Sequence, residues 1–214
     1  MRVTLPAMRH VLLLCLINTS LCLPLPAFAQ SEAAPPSAPA IEQRSLDPPA
    51  SGTGERKDAD RLLAALKRER DPEAANRLAT EILSVWNDSQ SATVNLLMQW
   101  ADAAISEKRN AAALDFLDQA IMLKPDYVAA WNRRATYHYT TGSYRKSMAD
   151  IQRVLVLEPR HFGALAGLAA ILSENGSEEM AMRAWERYLE VYPADRQAQD
   201  AVSKLSEKLA GDRT

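Results

Sequence analysis

The chain has 214 residues, 47% of them apolar, with 25 Lys and Arg against 27 Asp and Glu, two Cys and three His. A formal net charge of −2 leaves no basic excess with which to grip a phosphate backbone, which excludes a general nucleic-acid binder, and the length bounds the chain to one or two globular units. Ala and Leu together number 63 where Val and Ile number 16, so strong helix formers outweigh strand formers and an all-α fold is expected.

Arg2, Arg9 and His10 precede an apolar run from Val11 to Leu23 that ends in Pro24, Pro26 and Ala27-Phe28-Ala29. This pattern predicts a secretory signal peptide over residues 1–29, cut after Ala29, with Met8 as a second start that yields the same product. The run is interrupted by Asn18, Thr19 and Ser20 and falls short of the ~20 apolar residues of a membrane span, so no transmembrane span is expected after cleavage. Cys15 and Cys22 each follow a bulky Leu, which argues against lipid attachment. Cleavage removes both thiols and two Arg, leaving 185 residues with 23 basic and 27 acidic side chains and a net charge of −4. The product has no disulfide, thiolate metal site or cysteine nucleophile, and its stability must come from packing.

Residues 30–57 carry Pro35, Pro36, Pro39, Pro48 and Pro49 and few large apolar side chains beyond Ile41 and Leu46, which predicts a disordered Pro/Ala-rich linker. No PxxP with flanking charge marks it as a ligand for a partner's groove. Over residues 58–93, Leu62, Leu63 and Leu66 are followed by Asp71-Pro72, which reads as an N-cap with proline in the first turn. Leu78, Ile82 and Trp86 then follow at helical spacing. A degenerate helical pair is expected there.

Pro125, Pro159 and Pro193 stand 34 residues apart, and the agreement extends through the sequence between them. Three units align over 94–127, 128–161 and 162–195. Their fourth place is large and apolar (Leu97, Trp131, Leu165), their eighth is Ala101, Ala135 and Ala169, and their twentieth is Ala113, Ser147 and Ala181. Small residues at the last two places let two antiparallel helices approach closely. Leu117, Ile151 and Trp185, then Ile121, Leu155 and Leu189, complete a buried stripe. Gly142-Ser143 and Gly176-Ser177 mark turns inside units two and three, and the prolines end each unit's second helix. Residues 196–214 carry Ala198, Val202, Leu205 and Leu209 on an otherwise charged helix, which suits a C-terminal cap and tail.

The period, the small pair and the closing proline resemble the tetratricopeptide repeat family, whose unit is a 34-residue helix-turn-helix. The resemblance implies an α-solenoid of about nine helices, each pair burying its apolar face against the next. It also implies that the first helices of the units line a concave groove for partner contact. The groove places carry Met98, Gln99, Asp102, Asn132, Arg133, Thr136 and Tyr139, together with Asn95 and the bare Gly163, Ala166, Gly167 and Ala170. Such a groove suits a protein partner's extended peptide or helix; solvated helix face is the other reading of each single residue. Family members that clamp a carboxyl-terminal carboxylate use Lys and Asn where this chain has Met98 and Asp102, and basic residues where it has Gly163 and Gly167, so that mode is not expected.

Arg134 stands where the neighbouring units have Trp100 and Leu168, and Asp150 where they have Phe116 and Ala184. A charged pair has replaced apolar partners at both places, and Asn132-Arg133-Arg134-Ala135 with Ala149-Asp150 resembles a subclass of the family that does the same. A structural salt bridge between Arg134 and Asp150 is expected in preference to a ligand-binding Arg. His138 and His161 read as core or capping residues, and no nucleophile elbow, metal-binding histidine pair or phosphate-cradling loop is present, so no enzyme, cofactor or metal is expected. The resulting expectation is an exported, periplasmic interaction scaffold of the bacterial cell envelope. The alternative is a structural protein that self-associates weakly through its convex face.

Overall fold

The computed structural model describes residues 51–211, with side chains from Arg56 onward. The expected signal peptide and most of the expected linker lie outside the described residues. All regular structure among the described residues is helical: α1 (Ser51–Arg68), α2 (Pro72–Asn87), α3 (Ala92–Ser106), α4 (Asn110–Leu123), α5 (Val128–Thr140), α6 (Tyr144–Leu157), α7 (Phe162–Glu174), α8 (Glu178–Val191) and α9 (Arg196–Gly211). The result is an α-solenoid in which α3–α4, α5–α6 and α7–α8 are the packed pairs of three repeat units, closed by α9 on α8. α1 starts seven residues before the expected boundary at 58, in a stretch with no proline between Pro49 and Pro72 to stop a helix.

Each pair is set by its small residues. Ala101 and Ala113, Ala135 and Ser147, and Ala169 and Ala181 are all buried. The one hydroxyl among them costs nothing in isolation, because Ser147 Oγ donates to the Ala135 carbonyl across the pair at 2.8 Å. The turns within the three units are built alike. Ser143 N and Ser177 N donate back to the His138 and Leu172 carbonyls at 2.8 Å, across Gly142 and Gly176 at φ +72° and +71°. Unit one forms the same turn through Lys108, at φ +57°, with Arg109 N donating to the Ala104 carbonyl at 2.8 Å. Lys carries no turn signal in the sequence, and the closing hydrogen bond holds it in the left-handed region.

The first helical pair departs from the expected stacking order. Asp71 caps α2 by accepting from Ala74 N at 2.8 Å, with Pro72 in the first turn, as the sequence predicts. But α1 packs on α8 and α2 on α5, and the pair does not stack on α3–α4. Leu62, Leu63, Leu66 and Ile82 share one core with Phe162, Leu165, Tyr188 and Tyr192. Size complementarity explains the displacement. Trp86 stacks on His161 at 4.4 Å and lies 5.3 Å from Phe162. Gly163 leaves room beside His161, since a Cβ there would stand 3.3 Å from the imidazole. Polar ties along the pair's edge include Asp60 to Arg160 Nη2 at 2.7 Å, the Tyr127 hydroxyl to the Asn87 carbonyl at 2.6 Å, and Lys124 Nζ to the Ser89 carbonyl at 2.5 Å.

Arg134 crosses between units. Its Nε and Nη2 donate to Asp150 at 2.9 and 2.7 Å, its Nη1 donates to Asp118 of α4 at 2.6 Å, and its guanidinium lies 4.9 Å from the centroid of the Trp131 ring. Its hydrogen bonds to Asp150 and then to Asp118 raise its pKa further. His138 sits behind, with Nε2 3.9 Å from Asp150, and burial holds it below its ordinary pKa.

Two stability measurements follow from these contacts. Asp150 is 5% exposed. Arg134→Leu strands its carboxylate and should cost about 3 kcal/mol in urea unfolding. The paired Arg134→Leu, Asp150→Ala change should cost less, and equal losses would show that the two residues are uncoupled. His161 caps α7 by accepting from Ala164 N through Nδ1 at 3.1 Å, and burial pushes its pKa down to about 4. The unfolded chain therefore takes up the proton first as pH falls. Stability from this group is complete above about pH 6.5 and drains between there and about pH 4. Across that window the wild type should lose about 3 kcal/mol more than His161→Asn, and parallel pH profiles would sink the assignment.

Candidate partner-binding groove

The displaced first pair turns α2 into a wall. Between it and the first helices of units one and two lies an open groove of about 620 Å³. Thr80, Leu83, Ser84 and Asn87 line it from α2, Asn95, Met98, Gln99 and Asp102 from α3, and Arg133 from α5, with Asp88 and Tyr127 at one end. Helical spacing accounts for the α3 set: Asn95, Met98, Gln99 and Asp102 fall on one face, opposite the buried Val94, Leu97, Ala101 and Ala104.

The polar end of the groove is pre-oriented. Asp88 accepts from Gln90 N at 2.9 Å and from the Asn95 amide at 3.1 Å, and these bonds, the Gln90 one first, hold its carboxyl below the usual range. The Asn95 amide is fixed from the other side, since its oxygen accepts from Ser89 N at 3.0 Å and Ser89 Oγ at 2.5 Å. Burial, then the Asp88 charge, push the Tyr127 phenol up to about 12, so it stays a hydrogen-bond donor. Arg133 spans the groove to Asp102, Nε to Oδ1 at 3.0 Å and Nη2 to Oδ2 at 3.3 Å. Both partners are close to half exposed, so the pair contributes under ~1 kcal/mol and is displaceable.

The sequence-derived site residues divide. Met98, Gln99, Asp102 and Arg133 come together in this groove. Asn132, Thr136 and Tyr139 do not line it. The Asn132 amide lies toward Gly163, 3.9 Å from where a side chain there would begin. Thr136 Oγ1 donates to the Asn132 carbonyl of its own helix at 3.0 Å. The Tyr139 hydroxyl donates to Glu174 at 2.5 Å, and Glu174 also accepts from Tyr144; the Tyr139 bond and then the Tyr144 one lower its pKa. Arg134 and Asp150 belong to the contacts between helices rather than to the groove.

The bare floor expected of unit three is not open in full. Ala166 packs into the core that holds Leu62, Leu66 and Ile82, and Gly167 faces Ile151 of α6, 3.3 Å from where its Cβ would stand. The α2 residues of the groove were not foreseen, because nothing periodic in the sequence places that helix beside α5. The arrangement offers shape, amides and one exchangeable ion pair. Among the described residues no group of three His, Cys, Asp or Glu side chains could hold a metal ion, and no helix is long and apolar enough to cross a membrane.

Comparison with known proteins agrees with the repeat reading. No family model matches the chain. A tetratricopeptide-repeat-containing protein of Rhizobium etli is 56% identical over 196 residues, covering 92% of this chain and 96% of its own length. Among solved structures, the first such domain of Spaghetti, bound to an HSP90 peptide, superposes with a TM-score of 0.52 at 20% identity, over 57% of this chain and 96% of that one. The Sgt2 domain from Aspergillus fumigatus reaches 0.52 at 19% identity, over 58% and 84%. At such identities these two structures share the fold alone, whereas the 56% relative spans nearly the whole chain. This chain therefore belongs to the tetratricopeptide-repeat proteins.

Proposed function

We propose that the protein is a non-enzymatic interaction scaffold of the bacterial cell envelope that holds a peptide or helix of a partner protein in the groove between α2, α3 and α5. The observation that carries this reading is the groove itself: about 620 Å³ of open space whose polar end is already oriented by Asn95, Asp88 and Tyr127. The pre-oriented Asn95 amide spares a bound backbone the cost of ordering that partner, and the apolar surface of Leu83 and Met98 supplies an anchor.

The Spaghetti domain holds the HSP90 peptide SRMEEVD, an acidic segment. Here Asp102 already occupies the Arg133 guanidinium, so an acidic tail would have to displace an internal carboxylate. A neutral or basic segment meets no such competitor. Export to the periplasm is supported by the Arg2, Arg9, Val11-to-Leu23 and Ala27-Phe28-Ala29 pattern.

Two measurements test the proposal. A photo-crosslinking side chain at Gln99 should capture a partner in the native envelope where one at Val156, exposed on α6, does not. Leu83→Asp together with Met98→Asp should abolish capture without changing the circular-dichroism signal. Equal capture from Gln99 and Val156 would refute the groove. Amino-terminal sequencing of the envelope-fraction protein should begin at Gln30, and a chain that retains Met1 or Met8 would overturn the export reading.

A further inference from the structure

The three units are alike in sequence but not in what covers them. The third and tenth places of units two and three face the preceding unit and are buried there: Ala130 and Tyr137 against unit one, Ala164 and Ile171 against unit two. The seventh place of unit two, Arg134, reaches back to Asp118 of α4 across the same boundary. In unit one these places are Leu96, Trp100 and Ala103, and all three are exposed, Leu96 at 40% and Trp100 at 47%. The Trp100 ring packs on Phe116 of α4 at 5.5 Å. The helix pair that would cover them in a continuous solenoid is α1–α2, which lies on α5 and α8 instead.

We propose that this bare stacking face of α3 and α4 is the dimerisation surface of the protein, met by the same face of a second copy about a two-fold axis. The face continues the array's own stacking interface, so it has the shape that receives a repeat helix. Its charge decides which one. α3 has a single charged residue in its 15, Asp102, and that residue turns into the groove to pair with Arg133. The Leu96, Trp100 and Ala103 face is thus free of charge and can meet a copy of itself with no like-charge repulsion. The other end of the array cannot serve. α9 exposes Arg196, Asp200 and Lys204, and covering those side chains with an apolar face would strand them. A self-complementary patch closes at two copies, whereas the α9 alternative would run on as an open chain. The exposed Leu123 at the end of α4 extends the apolar area.

Sedimentation equilibrium of the purified chain, run from low micromolar upward, tests this. The wild type should double in mass with concentration. Leu96→Lys and Trp100→Asp should each remain at the single-chain mass with unchanged helical circular dichroism, and Val156→Asp, on the outer surface, should still dimerise. Three results would overturn the proposal: a wild-type mass that stays single up to about 1 mM, doubling that survives both edge variants, or doubling lost in Val156→Asp alone. A fourth is a monomer whose Trp100 fluorescence, taken as the difference from Trp100→Phe, is shielded from acrylamide. That would put a segment of the same chain on the face.

Discussion

The constraint on which the molecule depends is the closeness of the two helices in each repeat. It is set by side chains no larger than alanine or serine at the eighth and twentieth places, all of them buried. A larger residue at either place would force the axes apart, and a displaced pair could not present the same ridges to the next unit. The Ser147 to Ala135 hydrogen bond shows how narrow the tolerance is: the only polar atom admitted is one that a carbonyl of the facing helix accepts at once. Because α4 packs on α5 and α6 on α7, this spacing repeated every 34 residues is enough to stack the three units.

Within that frame, the Arg134 cluster is a local exchange of apolar packing for charge. The guanidinium takes the volume that Leu168 fills in unit three and uses it to reach carboxylates on both sides, Asp150 of its own unit and Asp118 of the unit before. A buried ion pair need not add net stability over apolar residues of the same size. Its three fixed donors do specify which helix faces which, since neither carboxylate is met if α5 rotates by one residue position. Trp131 beneath the guanidinium narrows the choice further.

The repeat was legible in the sequence because its signals are local and recur: small residues at two places, a proline at the thirty-second, and glycine where the chain must turn with positive φ. Asp118 was not, although it stands sixteen residues before Arg134 just as Asp150 stands sixteen after. The expectation paired residues inside a unit, and Asp118 belongs to the unit before. Lys108 hid for the opposite reason, adopting the glycine conformation without being glycine. The route of α1–α2 was out of reach altogether. It rests on Trp86 over His161 and on Asp60 beside Arg160, contacts that span 75 and 100 residues and leave no period to detect. Half of the groove was therefore visible, the α3 and α5 side with Met98, Gln99, Asp102 and Arg133. The α2 side was not.

One displacement accounts for both surfaces on which function is placed here. Had α2 stacked on α3, its apolar face would have covered Leu96 and Trp100. Asn95, Met98, Gln99 and Asp102 would then have looked onto an open inner face with no facing wall. By lying on α5 instead, α2 encloses those four residues in a groove and leaves the outer edge of α3 bare. That placement is held by the core that Leu62, Leu66 and Ile82 share with Leu165 and Tyr188, and by the ring of His161 flat against Trp86 beside the open space at Gly163. Trp86 stands just before α3, but His161 lies more than fifty residues beyond its end, and their stacking bears on which faces of α3 remain available to other molecules.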